Sequence, residues 1–111
     1  MKKILITGGA GFIGSYLVNY CLKKKYKVLN IDKLSSVSQK LIIKDKNYRF
    51  IKNNLLNLKQ LKRIILNFNP NFIINCSAES HVDRSIINPS YFIENNIIGT
   101  SNILEIITSF Y

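Results

Sequence analysis

The chain has no tryptophan, one histidine, two prolines, two cysteines and six acidic residues among 111. Each shortage closes off some chemistry. Cys21 and Cys76 are far apart and fit no metal-ligand spacing, so two buried free thiols in a reducing compartment are expected, with no metal site. The opening "MKKILIT" has the basic start of a secretory leader, but its apolar run stops at the pair Gly8-Gly9, too soon for one. No stretch approaches the roughly 18 apolar residues of a membrane span. A cytoplasmic protein with no membrane partner is therefore expected. Nor is there a Gly/Ser/Pro-rich linker or an internal repeat, and residues 1–111 read as a single unit.

The scarcity of acids leaves a formal net charge of +10. A basic domain can serve nucleic acid or an anionic membrane. Here, however, 13 of the 16 basic residues are lysines spread over the whole length. Isoleucine and asparagine are over-used alongside them, the drift of an AT-rich coding sequence. No face interleaves aromatic and basic residues, so no nucleic-acid partner is expected. The charge offers modest attraction to an anionic ligand.

Apolar residues make up 47% of the chain, enough for a buried core. "KILIT" (3–7) is a short apolar run of the kind a two-sided parallel strand needs. Phe12, Ile13, Tyr16, Leu17, Tyr20, Cys21 and Leu22 then recur at helical spacing, closed by three lysines suited to a helix C-terminus. Residues 26–32 and 47–52 read as strands. Leu58, Leu61, Ile64, Ile65 and Phe68 mark one side of a helix that Pro70 stops. Residues 71–76 read as a fourth strand. Asn88-Pro89 predicts an N-cap with proline at the first helical position, opening one long helix through Phe92, Ile93, Ile97, Ile103, Leu104, Ile107 and Phe110. This β-α-β-β-α-β-α rhythm predicts an α/β chain, an incomplete doubly wound Rossmann fold of four parallel strands with helices on both faces. The fourth strand would be left with an unpaired edge and a tendency to self-associate.

Four of the five glycines fall in "TGGAGFIGS". Gly8, Gly11 and Gly14 lie three apart where the first strand turns into the first helix. Such a loop needs a tight turn at Gly8, close backbone approach to a pyrophosphate at Gly11 and no side chain at Gly14 where elements pack. The helix N-terminus adds N–H donors and partial positive charge. Asp32 ends the second strand about 20 residues on, where a carboxylate accepts from both ribose hydroxyls and repels a 2′-phosphate. Loop, spacing and acid together predict NAD as cofactor, in preference to NADP.

The Gly-x-x-Gly-x-x-Gly spacing resembles that of the extended short-chain dehydrogenase/reductases. "NIDKLS", "SAESHVDRSI" and "PSYFIENNIIGT" resemble, within that superfamily, the dTDP-glucose 4,6-dehydratases, which convert dTDP-glucose to its 4-keto-6-deoxy sugar with a recycled NAD. The likeness runs the length of the chain. It implies that Phe12 and Ile13 flank the pyrophosphate and that Asp32, Lys33, Leu34 and Ser35 surround the adenosine ribose. Asn54-Leu55 stands where the family has the Asp-Ile pair that reads the adenine. Cys76, Ser77, Ala78, Glu79 and Ser80 would line the nicotinamide side, Ser80 also facing the sugar nucleotide, and Asn95 would be a further cofactor contact. Two departures concern the walls: "HLAAES" is replaced by Asn75 to Ser80, and the loop after Leu34 lacks the family's tyrosine and glycine.

"NCSAESHVDRS", residues 75–85, gathers the only histidine with scarce acids and an arginine just past the fourth strand, where open α/β sheets place ligands. No nucleophile pairs with His81, and Glu79, His81, Asp83 and Arg84 read as loop-holding groups. The family's Tyr-x-x-x-Lys pair and its second acid group do not occur in the 111 residues. Hydride removal needs a base and loss of the C6 hydroxyl an acid. No catalytic residue is assigned, and the chain by itself is expected to be inactive. The alternative is a decayed, binding-only remnant of a nucleotide-sugar epimerase or dehydratase.

Overall fold

A computed structural model of the chain describes residues 1–34, 43–77 and 86–111. In order, the elements are β1 (Lys3–Thr7), α1 (Phe12–Lys23), β2 (Lys27–Asp32), β3 (Tyr48–Lys52), α2 (Leu58–Phe68), β4 (Phe72–Asn75), α3 (Pro89–Ile93), a π-helical turn (Glu94–Ile98) and α4 (Gly99–Phe110). The strands form one parallel sheet in the order β3-β2-β1-β4, with Leu5 opposite Leu29 and Ile73.

Alternation along β1 and β2 divides the core. Leu5, Leu29 and Ile31 face Leu61, Ile64 and Ile65 of α2 and Ile103 and Ile106 of α4. Ile4, Ile6 and Val28 face Val18, Cys21 and Leu22 of α1 on the other side. Successive side chains of a strand point to opposite faces, so both faces must be apolar where helices cover both. The expected doubly wound arrangement is thus present, with β1 at its expected bounds, β2 and β3 starting one residue later and β4 one residue shorter at each end.

Helix α2 matches its pattern. Asn57 caps it by accepting from the Gln60 N–H at 3.2 Å, and Asn69 ends it in the left-handed region at φ 51°. Helix α1 does not. Its buried residues are Gly14, Val18, Cys21 and Leu22, while Phe12 (82%), Ile13 (72%), Tyr16 (71%) and Tyr20 (57%) are exposed. The cause is Gly14, which lies against the turn backbone and sets the rotation of the helix. Val18, Cys21 and Leu22 follow it at four, seven and eight residues and share its face.

The expected long helix is interrupted. The Gly99 N–H donates to the Glu94 carbonyl, five residues back. Asn95 Nδ2 donates to the Tyr91 carbonyl at 2.8 Å and Thr100 Oγ1 to the Asn96 carbonyl at 3.1 Å, side-chain bonding of the kind that distorts helices. The expected cap is in place, with Asn88 Oδ1 accepting from the Tyr91 N–H at 3.2 Å ahead of Pro89. Beyond the turn only Gly99, Ile103 and Ile106 are buried. Strand β4 has one partner, β1, among the described residues, and Phe72 on it is 51% exposed.

Candidate functional site

The turn between β1 and α1 is held from below by β2. Gly8 takes φ +71°, and a Cβ there would lie 2.7 Å from the backbone of Cys76 and Ser77, so both conformation and contact require glycine. Its N–H donates to the Ile31 carbonyl at 2.8 Å. The next two N–H groups go to side chains: Gly9 to Asn30 Oδ1 at 2.8 Å and Ala10 to Asp32 Oδ2 at 3.0 Å. A Cβ on Gly14 would meet the Gly8 carbonyl oxygen at 2.1 Å, whereas at Gly11 the nearest atom is 3.4 Å away. Gly14 lets the helix sit on the turn; Gly11 leaves the approach open. Gly11 caps α1 without a side-chain hydrogen bond, and the first turn carries no acid. That terminus is suited to an anion.

Asp32 is 6% exposed. Its second oxygen accepts from the Leu34 N–H at 2.7 Å. A carboxylate offers about four lone-pair positions, so among the described residues two acceptor positions are left, as many as a vicinal diol would need. Beside it, the Lys33 ammonium donates to Tyr91 Oη at 2.9 Å and to Asn95 Oδ1, and lies 4.7 Å from the Tyr91 ring centroid. The π-helical turn is thereby tied to the end of β2. Such turns are frequent at functional sites.

Lys33, Asn53, Asn54, Leu55, Leu56, Ser77 and Asn95 line one pocket at the C-terminal ends of the strands. Five of these are residues that the family resemblance selects, contributed by four separate stretches of chain. Asn54 Oδ1 accepts from the Leu56 N–H at 3.0 Å, which shapes that wall. Leu55 is buried; Asn102 Nδ2 donates to its carbonyl at 2.8 Å, and α4 approaches it closely at Gly99. Phe12 and Ile13 are exposed at the start of α1, and Leu34 follows Asp32 with φ 58°. Ser35, Ala78, Glu79, Ser80, His81, Asp83 and Arg84 lie outside the described residues.

Cys76 departs from the buried pair of thiols expected. Cys21 is buried and Cys76 only half-buried, and in both burial pushes the thiol pKa up. Sequence patterns also missed Asn30, Asn75, Thr100 and Tyr91. Asn75 joins three elements: it accepts from Thr7 Oγ1 and donates to Thr100 Oγ1 at 2.9 Å. A polar residue inside an apolar strand, as in "KVLNID" and "FIIN", was the available signal for Asn30 and Asn75.

A glycine turn braced on an acid at the end of the neighbouring strand, at the switch point of a doubly wound sheet, defines a Rossmann-type α/β protein. Narrower kinship comes from comparison with known proteins. A family model described as GDP-mannose 4,6 dehydratase matches residues 5–110, and the chain belongs to that family. It is 40% identical over 107 residues to a probable dTDP-glucose 4,6-dehydratase of Sinorhizobium fredii, covering 93% of this chain and 31% of that protein. It is likewise 40% identical over 114 residues to dTDP-glucose 4,6-dehydratase of Salmonella typhimurium, covering 98% and 32%. Among solved structures, dTDP-glucose 4,6-dehydratase from Bacillus anthracis in complex with NAD aligns at a TM-score of 0.84 and 34% identity, covering 99% of this chain and 34% of that one. A UDP-glucose 4-epimerase from Thermotoga maritima with UDP-glucose aligns at 0.85 and 33% identity, covering 94% and 33%. The chain thus spans about a third of the length of these relatives.

Proposed function

We propose that the chain is the NAD-binding portion of a cytoplasmic dTDP-glucose 4,6-dehydratase, which converts dTDP-glucose to dTDP-4-keto-6-deoxyglucose and water. The observation that carries this reading is Asp32, buried at the end of β2 and braced by the Ala10 and Leu34 N–H groups with acceptor capacity to spare. Gly8, Gly11, Gly14 and the first turn of α1, with Phe12 and Ile13, would hold the pyrophosphate. Asp32, Lys33, Leu34 and Ser35 would hold the adenosine ribose and Asn54 and Leu55 the adenine, with Asn95 beside them. Cys76, Ser77, Ala78, Glu79 and Ser80 would face the nicotinamide, and Ser80 the sugar nucleotide. Bound NAD supplies a hydride acceptor for the sugar. The chain's own residues bind and orient; with no Tyr-x-x-x-Lys pair, the 111 residues bind cofactor without turnover. The edge of β4 would let copies of the chain associate.

Calorimetric titration tests this. NAD should bind saturably and NADP at least about tenfold more weakly, because the Asp32 carboxylate repels a 2′-phosphate. Asp32→Ala should weaken NAD binding by about tenfold or more, the loss of charge-assisted hydrogen bonds to two hydroxyls. Absence of NAD binding by a chain shown folded by circular dichroism would overturn the proposal and leave the motifs as ancestry. Unchanged affinity in folded Asp32→Ala would overturn the ribose assignment.

A further inference from the structure

We infer that Asn30 is a positioning residue for the pyrophosphate-binding turn, with Tyr48 securing the far end of its amide. The inference rests on the NAD-binding reading and deepens it. Asn30 is fully buried in the middle of β2. A buried amide is costly unless its groups are paired. Here Oδ1 accepts from the Gly9 N–H at 2.8 Å and Nδ2 donates to Tyr48 Oη at 3.2 Å, across to β3. The turn rests directly on this amide, since a Cβ on Gly9 would lie 2.3 Å from Oδ1.

Asn30 and Asp32 are two apart on one strand and share a face. They take successive N–H groups of the turn, Gly9 and Ala10. That fixes the plane of the loop and leaves the donors of the first turn of α1 pointing at the anion site. The amide can face only one way, because the Gly9 N–H donates and requires the oxygen. Tyr48 then satisfies the nitrogen; without its hydroxyl a buried donor is orphaned and the grip on Gly9 loosens. A neutral acceptor also suits the place. Asp at position 30 would still accept from Gly9 but set a second negative charge beneath a bound pyrophosphate.

The test combines amide hydrogen exchange at Gly9, read by NMR on the 111-residue chain, with NAD titration. Tyr48→Phe is expected to keep the fold, speed Gly9 exchange about fivefold and weaken NAD about fivefold, one hydrogen bond's worth. Asn30→Leu should raise both effects to about tenfold or more. Asn30→Asp should restore protection at Gly9 while leaving NAD binding weak, a split that a packing role alone would not produce. Folded Tyr48→Phe with Gly9 exchange and NAD affinity unchanged overturns the inference, even should Asn30→Leu fail to fold. If the unsubstituted chain binds no NAD, the proposed function fails, and the exchange data alone decide whether Asn30 holds the turn.

Discussion

Glycine at position 14 is demanded by contact, whereas glycine at position 11 is demanded only by the proposed approach of a pyrophosphate. An added methyl at Gly14 meets the Gly8 carbonyl oxygen at 2.1 Å, whereas at Gly11 it would make only an ordinary contact with that oxygen at 3.4 Å. Gly14→Ala should therefore destabilise the fold by about 1–3 kcal/mol, as overpacking does. In a melting experiment that is a loss of about 5 °C or more. Gly11→Ala should lower the melting temperature less than Gly14→Ala and instead weaken NAD binding, because in the proposed site that space would belong to the ligand. Equal losses of stability at the two positions would contradict this division. Titration offers a second check at the same scale. Burial raises the pKa of Cys21 above the ordinary 9.0, and burial, with a smaller push from Asp32, raises that of Tyr48 above 10.0 while its bond to Asn30 opposes. The folded chain then holds these protons more tightly than the unfolded chain. Their contribution to stability is complete below the unfolded pKa values and is lost as pH rises through the folded ones. Chemical denaturation from pH 8 to 11 should show stability falling from about pH 9 upward.

At the scale of elements, the apolar pattern of α4 was legible as a helix but not as a facing. Leu104 and Ile106 look alike in sequence, yet Leu104 is 55% exposed and Ile106 2%. Ile106→Ala should cost about 2–5 kcal/mol and Leu104→Ala under about 0.5 kcal/mol, measured by urea unfolding. The reverse order would mean that α4 is rotated. The same ambiguity explains α1, where aromatic residues at helical spacing drew attention to the outer face while Gly14 set the inner one. The cap at Asn88 was easier to read, because it acts on a donor only three residues away; Asn57 caps α2 at the same spacing, but the sequence pattern did not single it out. The π-helical turn had no sequence signal; it accompanies bonds from Asn95 and Thr100 to carbonyls of their own helix.

At the scale of the whole molecule, the strand order β3-β2-β1-β4 leaves β4 on an edge among the described residues, carrying the exposed ring of Phe72. An apolar strand edge without a partner invites pairing with another copy. Light scattering of the chain should show mass rising with concentration, and Phe72→Lys should reduce that rise without lowering the melting temperature by more than about 3 °C, since the side chain is exposed. A monomer at every concentration would mean that the edge is protected by other means. Net charge of +10 opposes association at low salt, so added salt should strengthen it.

By itself the sequence determined the element types (the π-helical turn excepted), the parallel sheet and the glycine turn with its acid. Each depends on neighbours within a few residues or on a spacing along one chain direction: apolar period, the Asn88 cap, glycines three apart, Asp32 about 20 residues on. Only the tertiary structure decided that Asn30 and Asp32 grip consecutive N–H groups of that turn. It alone brought Lys33, Asn54, Leu55, Ser77 and Asn95 to one pocket, and it chose the face that α1 buries. The grip on the turn and the pocket hang on contacts between residues 21 to 62 positions apart, such as Gly9 with Asn30 and Lys33 with Asn95, and the facing of α1 on Gly14 against the Gly8 carbonyl. A local pattern holds no information about a partner that only folding brings within hydrogen-bonding distance.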